Sequence, residues 1–369
     1  MIYLDYNATT PVDKGVYEAM KPYFEGCFGN PSNTYALGAQ AKDAVENARK
    51  QLANLLGTTV SGLYFTGTGS EANNTVLKGV AHSYGHKGKH IVTSVIEHPS
   101  VMEPLRFLEK NGFEVTYVPV DGKGAVKISD VEKVIHKDTI LVTIMHSNNE
   151  VGTLQPIKEI GTICRERNVL FHTDASQSVG KVPVDVQDLK VDFLTVAGHK
   201  LYAPKGIGAL YIREGIAIEP LIHGAKQEHG LRAGTENVPY IVGLGKAAEL
   251  AARHLKTDVL FRLKEYFYRQ LTEAFGNQIH LNGDFTNSLP NTLNISFIGK
   301  SGAEILATVP EILASTGSAC HSGSKSISPV LAAMGIDAEI AYGAIRFSVG
   351  RFTTEKEINQ AVGMLKQAI

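Results

Sequence analysis

Apolar residues follow two rhythms along this chain. In "AQAKDAVENARKQLANLLG" (residues 39–57), Ala41, Ala44, Val45, Ala48, Leu52, Leu55 and Leu56 recur at helical spacing before Gly57, which predicts an amphipathic helix and its stop. Elsewhere the apolar residues gather into short runs rich in β-branched and aromatic types. These are "GLYFTG" (62–67), "HIVTSV" (90–95), "EVTYVPV" (114–120), "ILVTIMH" (140–146), "VLFHTDA" (169–175), "DFLTVAG" (192–198) and "IGALYIR" (207–213). Strands separated by helices predict an α/β fold with a mostly parallel, seven-stranded sheet covered on both faces. After a helix in "NVPYIVGLGKAAELAARHLK" (237–256) the pattern changes to helix, two strands ("IHLNG", "TLNISFI") and further helices. We therefore expect a large domain over residues 12–256 and a smaller α+β domain formed by 1–11 and 257–369, as suits a chain of 369 residues.

Composition narrows the classes. A net charge of −1 without any run of lysines and arginines gives no support for a nucleic-acid or membrane-surface partner. The N-terminus lacks a basic-then-apolar signal pattern, and no apolar run is long enough to cross a bilayer. Cys27, Cys164 and Cys320 are odd in number and far apart, which suits a reducing compartment, so the expected setting is the cytoplasm.

In a parallel sheet, ligands bind beyond the C-terminal strand ends. "TGTGSEANN" opens a helix there, and Gly69 and Ser70 offer backbone N–H groups and a hydroxyl as a phosphate seat; a plain turn with Ser70 as N-cap fits the same letters. The next strand ends carry Glu97-His98-Pro99, then His146 to Glu150 with Asn149, then Asp174 to Gln177, then His199-Lys200. A lone histidine is usually a satisfied loop residue, but several polar strand ends at one sheet edge need a common purpose. Lysine can form a Schiff base with an aldehyde, and an aspartate can keep a pyridine nitrogen protonated. A histidine can stack on a flat ring, while Gln177 and Asn149 can hydrogen-bond a phenolic oxygen. Together with the phosphate seat, these types point to pyridoxal 5′-phosphate.

The segments "LDYNATTP", "FGNPSN", "TGSEANN", "EHPS", "SNNEVG", "HTDASQSVGK", "GHKLYAPKGIGALY", "RAGTEN" and "GSACHSG…IRFSVGRFTT" resemble, in family order, the cysteine desulfurases and selenocysteine lyases. These are pyridoxal-phosphate enzymes of aminotransferase fold type I, in the class V aminotransferase superfamily. The resemblance implies that Lys200 forms the Schiff base, Asp174 pairs with the pyridinium, His98 stacks on the ring and Gln177 meets the phenolic oxygen. It places Asn149 near that oxygen and the substrate carboxylate, and gives the phosphate to Gly69, Ser70 and His199. Thr235 from a neighbouring subunit adds a further phosphate contact, which implies a homodimer with shared sites. Arg346 is the carboxylate clamp, and Cys320, on a mobile loop, meets the substrate's sulfur or selenium with His321 beside it to tune the thiol. A zinc site is not expected, since no further ligands stand at the right spacing near Cys320 and His321.

Three departures bear on the substrate. The chain has "CHSG" after the loop cysteine, "SPVL" in place of "SYVL" or "SHVL", and Ala197 where a serine usually donates to the phosphate. They favour a selenocysteine lyase releasing L-alanine from L-selenocysteine. The alternative is a cysteine desulfurase that forms a persulfide on Cys320 for iron–sulfur or thio-cofactor synthesis, handing sulfur to an acceptor protein. An aminotransferase on the same fold gives the loop cysteine no purpose.

Overall fold

Each of the seven apolar runs forms a strand. The computed structural model describes residues 1–316 and 327–369, so Cys320 and His321 lie outside the described residues. In chain order the strands are β1 (Ile2–Tyr3), β2 (Leu63–Thr66), β3 (His90–Ser94), β4 (Glu114–Val118), β5 (Thr139–Thr143) and β6 (Leu170–Asp174). They continue with β7 (Phe193–Ala197), β8 (Gly208–Ile212), β9 (Ile279–Asn282), β10 (Thr292–Phe297), β11 (Ile312–Leu313) and β12 (Ala344–Ser348).

The large sheet runs in the order β2-β8-β7-β6-β5-β3-β4. All neighbouring pairs are parallel except those of β8, which runs against both β2 and β7. Six strands therefore end at one edge, where β8 begins. Every residue of β3, β5, β7 and β8 is buried, as layers of helix on both faces require.

The helix Ala36–Leu56 ends at Gly57, whose φ of +66° is the left-handed stop foreseen from its position. It lies against the helix Val238–His254 so closely that a Cβ on Gly245 would meet the Ala48 Cα at 2.5 Å. Buried residues from Val16 to Ala251 form the core on this face.

A second, antiparallel sheet in the order β12-β10-β9 packs on the helices Val259–Phe275 and Glu355–Ala368. Its core unites Phe267, Ile295, Phe347 and Leu365 with Ile2 and Leu4 from the N-terminus. β1 pairs in parallel with β11. The strand β12 had no separate sequence signal, nor had the two-residue pairing of β1 with β11. A smaller cluster joins Ile96, Met145 and Val151, from the loops after β3 and β5, to Val330, Leu331 and Ala344. Among the described residues, no helix is long and apolar enough to cross a membrane.

Candidate active site

At the common strand edge lies a cavity of about 630 Å³, within the size range of cofactor sites. Gly69, Ser70, His98, Asn149, Asp174, Gln177, His199, Lys200 and Arg346 all line it. Thr235 does not; it lines a second cavity of about 210 Å³ that meets the first at Gly206 and Ile207. Cys320 and His321 fall outside the described residues.

The phosphate seat comes from the turn after β2. Thr68, not Ser70, is the N-cap of the helix Gly69–Tyr84, its hydroxyl accepting from the Glu71 N–H at 3.0 Å. Ser70, one residue inside the helix, keeps its hydroxyl out of the cap. The close packing behind the seat requires glycine. A Cβ on Gly69 would sit 3.1 Å from both the Ala197 Cβ and the Ser176 Oγ, and one on Gly208 would strike the Thr68 carbonyl carbon at 2.7 Å and the Gly69 nitrogen at 2.9 Å.

The ring-facing groups are held from behind. Asp174 ends β6, where one oxygen accepts from Asn73 Nδ2 at 2.8 Å and the other from the Ser176 N–H at 2.9 Å. Asn73 also donates to Ser100 Oγ, which in turn meets His98 Nδ1 at 2.8 Å. Because the Ser100 N–H also donates to Nδ1, that nitrogen is an acceptor, and the neutral ring carries its proton on Nε2. Desolvation favours that neutral form, with Asp174 opposing it and the Lys200 cation supporting it. Glu97, one residue before, ties the end of β3 to the β5 loop through Ser94 Oγ at 2.6 Å and the Met145 N–H at 2.9 Å.

Lys200 closes the short 3₁₀ turn after β7. Its ammonium donates to the carbonyls of Asn7 and, at 2.9 Å, Ala8. Burial, then the Arg346 cation, lower its pKa to about 8, with Asp5 and Asp174 opposing. His199 meets Thr9 Oγ1 at 3.2 Å and is held neutral, its pKa lowered to about 4 by burial and the neighbouring lysines.

Arg346, on β12, is buried. It donates from one terminal nitrogen to Asp5 Oδ1 at 2.7 Å and from the other to the Asn149 carbonyl at 3.1 Å. Among the described residues its buried Nε has no partner, and the terminal nitrogens, with two N–H groups each, keep donors beyond those spent on Asp5 and Asn149. Asp5 itself is pushed above the usual carboxylate range by burial, against the pull of Arg346.

The N-terminal residues Asp5, Asn7, Ala8 and Thr9 were missed as site elements in the sequence. Asn7 and Thr9 line the cavity, and Asn7 is a hub. Its carbonyl accepts from Gln177 Nε2 at 2.9 Å, and its Nδ2 donates to the Asn149 carbonyl at 3.2 Å and Thr292 Oγ1 at 2.8 Å. Among the described residues, no cluster of histidine, cysteine, aspartate and glutamate could hold a metal ion. The two cysteines that are described are free, and burial raises the thiol pKa of Cys164 on the helix Ile157–Glu166.

This donor set fits pyridoxal 5′-phosphate. It combines a helix start without a Cβ for the phosphate, a fixed carboxylate, a neutral histidine and a lysine of lowered pKa around one cavity. The aminotransferase class-V model matches residues 2–361. The chain is 48% identical to the cysteine desulfurase IscS of Dictyoglomus turgidum, across all of this chain and 94% of that protein. It is 46% identical to that of Methanosarcina thermophila, across all of this chain and 92% of the relative. Among solved structures, a NifS-like protein superposes with a TM-score of 0.93 at 38% identity, covering 99% of this chain and 98% of that one. SspA in complex with cysteine gives 0.86 at 38% identity, over 96% and 100%. The chain belongs to the class V aminotransferase family and, within it, with the cysteine desulfurases, which are pyridoxal-phosphate enzymes. These relatives support the desulfurase alternative over the expectation of a selenocysteine lyase.

Proposed function

We propose that this member of the class V aminotransferase family is a cysteine desulfurase, taking sulfur from L-cysteine and releasing L-alanine. The observation that carries the reading is where the Cys320 segment is anchored. Ser315, just before it, exchanges backbone hydrogen bonds with Arg346 at 2.6 and 3.3 Å. Ser328, just after it, donates to Glu150 Oε2 at 2.5 Å, next to Asn149. Both anchors lie beside residues that line the cavity, and five residues of chain from Ser315 reach at most roughly 18 Å.

Pyridoxal phosphate, when bound, supplies an electron-withdrawing ring that stabilises negative charge beside the substrate's α-carbon. Asp174, held by Asn73 and the Ser176 N–H, would pair with the pyridine nitrogen and keep it protonated. Arg346, steadied by Asp5 and the Asn149 carbonyl, binds the substrate carboxylate. A pKa of about 8 lets Lys200 exist as a free amine near neutral pH, able to take the α-proton and return it to carbon. The Cys320 thiolate then attacks the substrate's sulfur. An S–S bond forms as the C–S bond breaks, its electron pair goes to carbon, and protonation there gives L-alanine and a persulfide on Cys320. A homodimer and an acceptor for the persulfide sulfur belong to the same proposal.

The test uses purified protein supplied with pyridoxal phosphate. Borohydride is expected to fix the cofactor on Lys200, and L-cysteine to give alanine with a persulfide on Cys320. Cys320→Ala should cut alanine formation from cysteine by roughly a hundred-fold or more. Faster alanine formation from selenocysteine than from cysteine at equal concentration, with Cys320→Ala indifferent, would overturn the sulfur reading.

A further inference from the structure

Asn73 is fully buried on the helix Gly69–Tyr84 and takes no part in lining the cavity. Its Nδ2 donates to Asp174 Oδ2 and to Ser100 Oγ, each at 2.8 Å, while its Oδ1 is buried with no partner among the described residues. Asparagine is a poor helix former, and a stranded buried oxygen is costly. The helix bears both penalties at one position. Gly69 of the phosphate seat, one turn earlier, lies on the same face, so a single stretch of helix carries the seat and the support for Asp174.

Charge accounts for the choice of residue. Asp174 is 7% exposed and opens on the cavity. Asn73 holds one of its oxygens and the Ser176 N–H holds the other, and both donors are uncharged. A lysine or arginine at position 73 would pair with the carboxylate and spend its charge inside the protein, while an apolar residue would take a donor from Oδ2. An amide secures the oxygen and leaves the negative charge to act across the cavity. The titratable groups that feel this charge are Glu97, His98, His172 and Lys200. Burial holds Glu97 and the two histidines towards their neutral forms, so those three do not offset it near neutral pH.

We propose that Asn73 is a positioning residue: its uncharged amide ties Asp174 to the helix of the phosphate seat and leaves the carboxylate its full charge for the ring nitrogen of the bound cofactor. This rests on the pyridoxal-phosphate site described above. A polar residue that merely joined helix to sheet would not affect a proton bound at the cofactor.

The experiment adds pyridoxal phosphate to apoprotein to measure affinity, then titrates the holoenzyme with acid and base, following the visible band that marks cofactor joined to Lys200. Asn73→Leu keeps the size of the side chain and removes its donors. A carboxylate that loses a donor gains affinity for a proton, so it pairs less well with a protonated ring nitrogen. With less positive charge on the ring, the Schiff base holds its own proton more firmly. The midpoint should therefore rise by about half a pH unit or more, and the apparent Kd by about five-fold. Ser100→Ala leaves the Asp174 contact in place and should keep the midpoint within about 0.2 pH unit of the parent. In an Asp174→Ala background, at saturating cofactor, Asn73→Leu should likewise shift it by less than about 0.2 pH unit, because the group it acts through is gone. Should Asn73→Leu fail to fold, Asn73→Ala, which suits the helix, is read by the same midpoint. An unmoved midpoint in the folded variant, or an equal shift without Asp174, overturns the proposal. A parent protein that binds no pyridoxal phosphate overturns it together with the cofactor site, whereas a parent that binds it and a variant with an unmoved midpoint overturn this proposal alone.

Discussion

Lys200 and Lys264 are both lysines held near a pKa of 8, with burial as the first cause in each case. The first faces the cavity at the edge of the large sheet. The second, on the helix Val259–Phe275, is 1% exposed beneath the small sheet. All three of its donors are spent, on the Phe285 carbonyl at 2.8 Å, Ser288 Oγ at 2.7 Å and the Leu289 carbonyl at 3.1 Å, with the Phe285 ring centre 4.8 Å away. Lys264 pins the 285–289 segment, which pairs with residues 152–154 just beyond Asn149. A lowered lysine pKa thus reports burial first and is no sign of reactivity by itself. Reactivity needs a cavity to face and partners that can be given up, and Lys200 has both.

The widest split comes from removing each ammonium. Lys200→Ala should lower cysteine turnover by about a thousand-fold or more and leave a folded protein, because its partners are carbonyls at the edge of an open cavity. Lys264→Met should do the reverse. It strands three buried acceptors, costing roughly 2–4 kcal/mol in denaturant unfolding, with kcat per folded molecule within about two-fold. A ten-fold fall in kcat for Lys264→Met would break the comparison. The pH dependence has a definite sign. The folded pKa of Lys264 lies below its unfolded value, so the unfolded chain holds more protons above about pH 8. The parent should therefore gain stability relative to Lys264→Met as pH rises from about 8 through the ordinary lysine range.

Arg346→Ala sharpens the contrast at the site itself. It should raise KM for cysteine by roughly a hundred-fold, a loss of about 2–3 kcal/mol in substrate binding, with a smaller change in kcat. It also leaves the Asp5 carboxyl buried without its cation. The stability penalty should shrink as pH falls and Asp5 takes up a proton, an effect read from unfolding curves at several pH values. An unchanged KM would remove the carboxylate clamp from the mechanism.

The smallest effect separates two neighbouring hydroxyls. Thr68→Ala should lower stability by about 1 kcal/mol through loss of the helix cap. Ser70→Ala should leave stability within about 0.5 kcal/mol yet weaken cofactor binding measurably in a pyridoxal phosphate titration. The opposite pattern would return the cap to Ser70.

Much of the site was legible because its signals are local. Gly69, Ser70, His98, Asn149, Asp174, Gln177, His199 and Lys200 each follow a strand whose apolar run is readable, and a parallel sheet brings such ends to one edge. The alternative that made Ser70 the cap fails within the correct turn, since Thr68 and Ser70 are both good caps and only the helix start decides between them. Arg346 was reached by family likeness, because "IRFS" gives too short a run to announce β12 on its own. Asp5 and Asn7 had no such signal. Asn7 and Asn149 stand 142 residues apart, and Asp5 and Arg346 stand 341 apart. The leaning towards selenium rested on single letters around Cys320 and at Ala197, whereas the similarity that favours sulfur extends over the whole chain.

The order of residues alone thus determined the strands, the polar groups that follow them and the chemistry those groups can share, since backbone periodicity and side-chain type are properties of short segments. Tertiary structure alone decided which donors face the cavity. It threads the N-terminal residues between two sheets, buries Arg346 against Asp5 and brings Lys181 to the amide oxygens of Gln177 and Asn7. Desolvation and hydrogen-bond polarity arise only when segments far apart in the chain exclude water together.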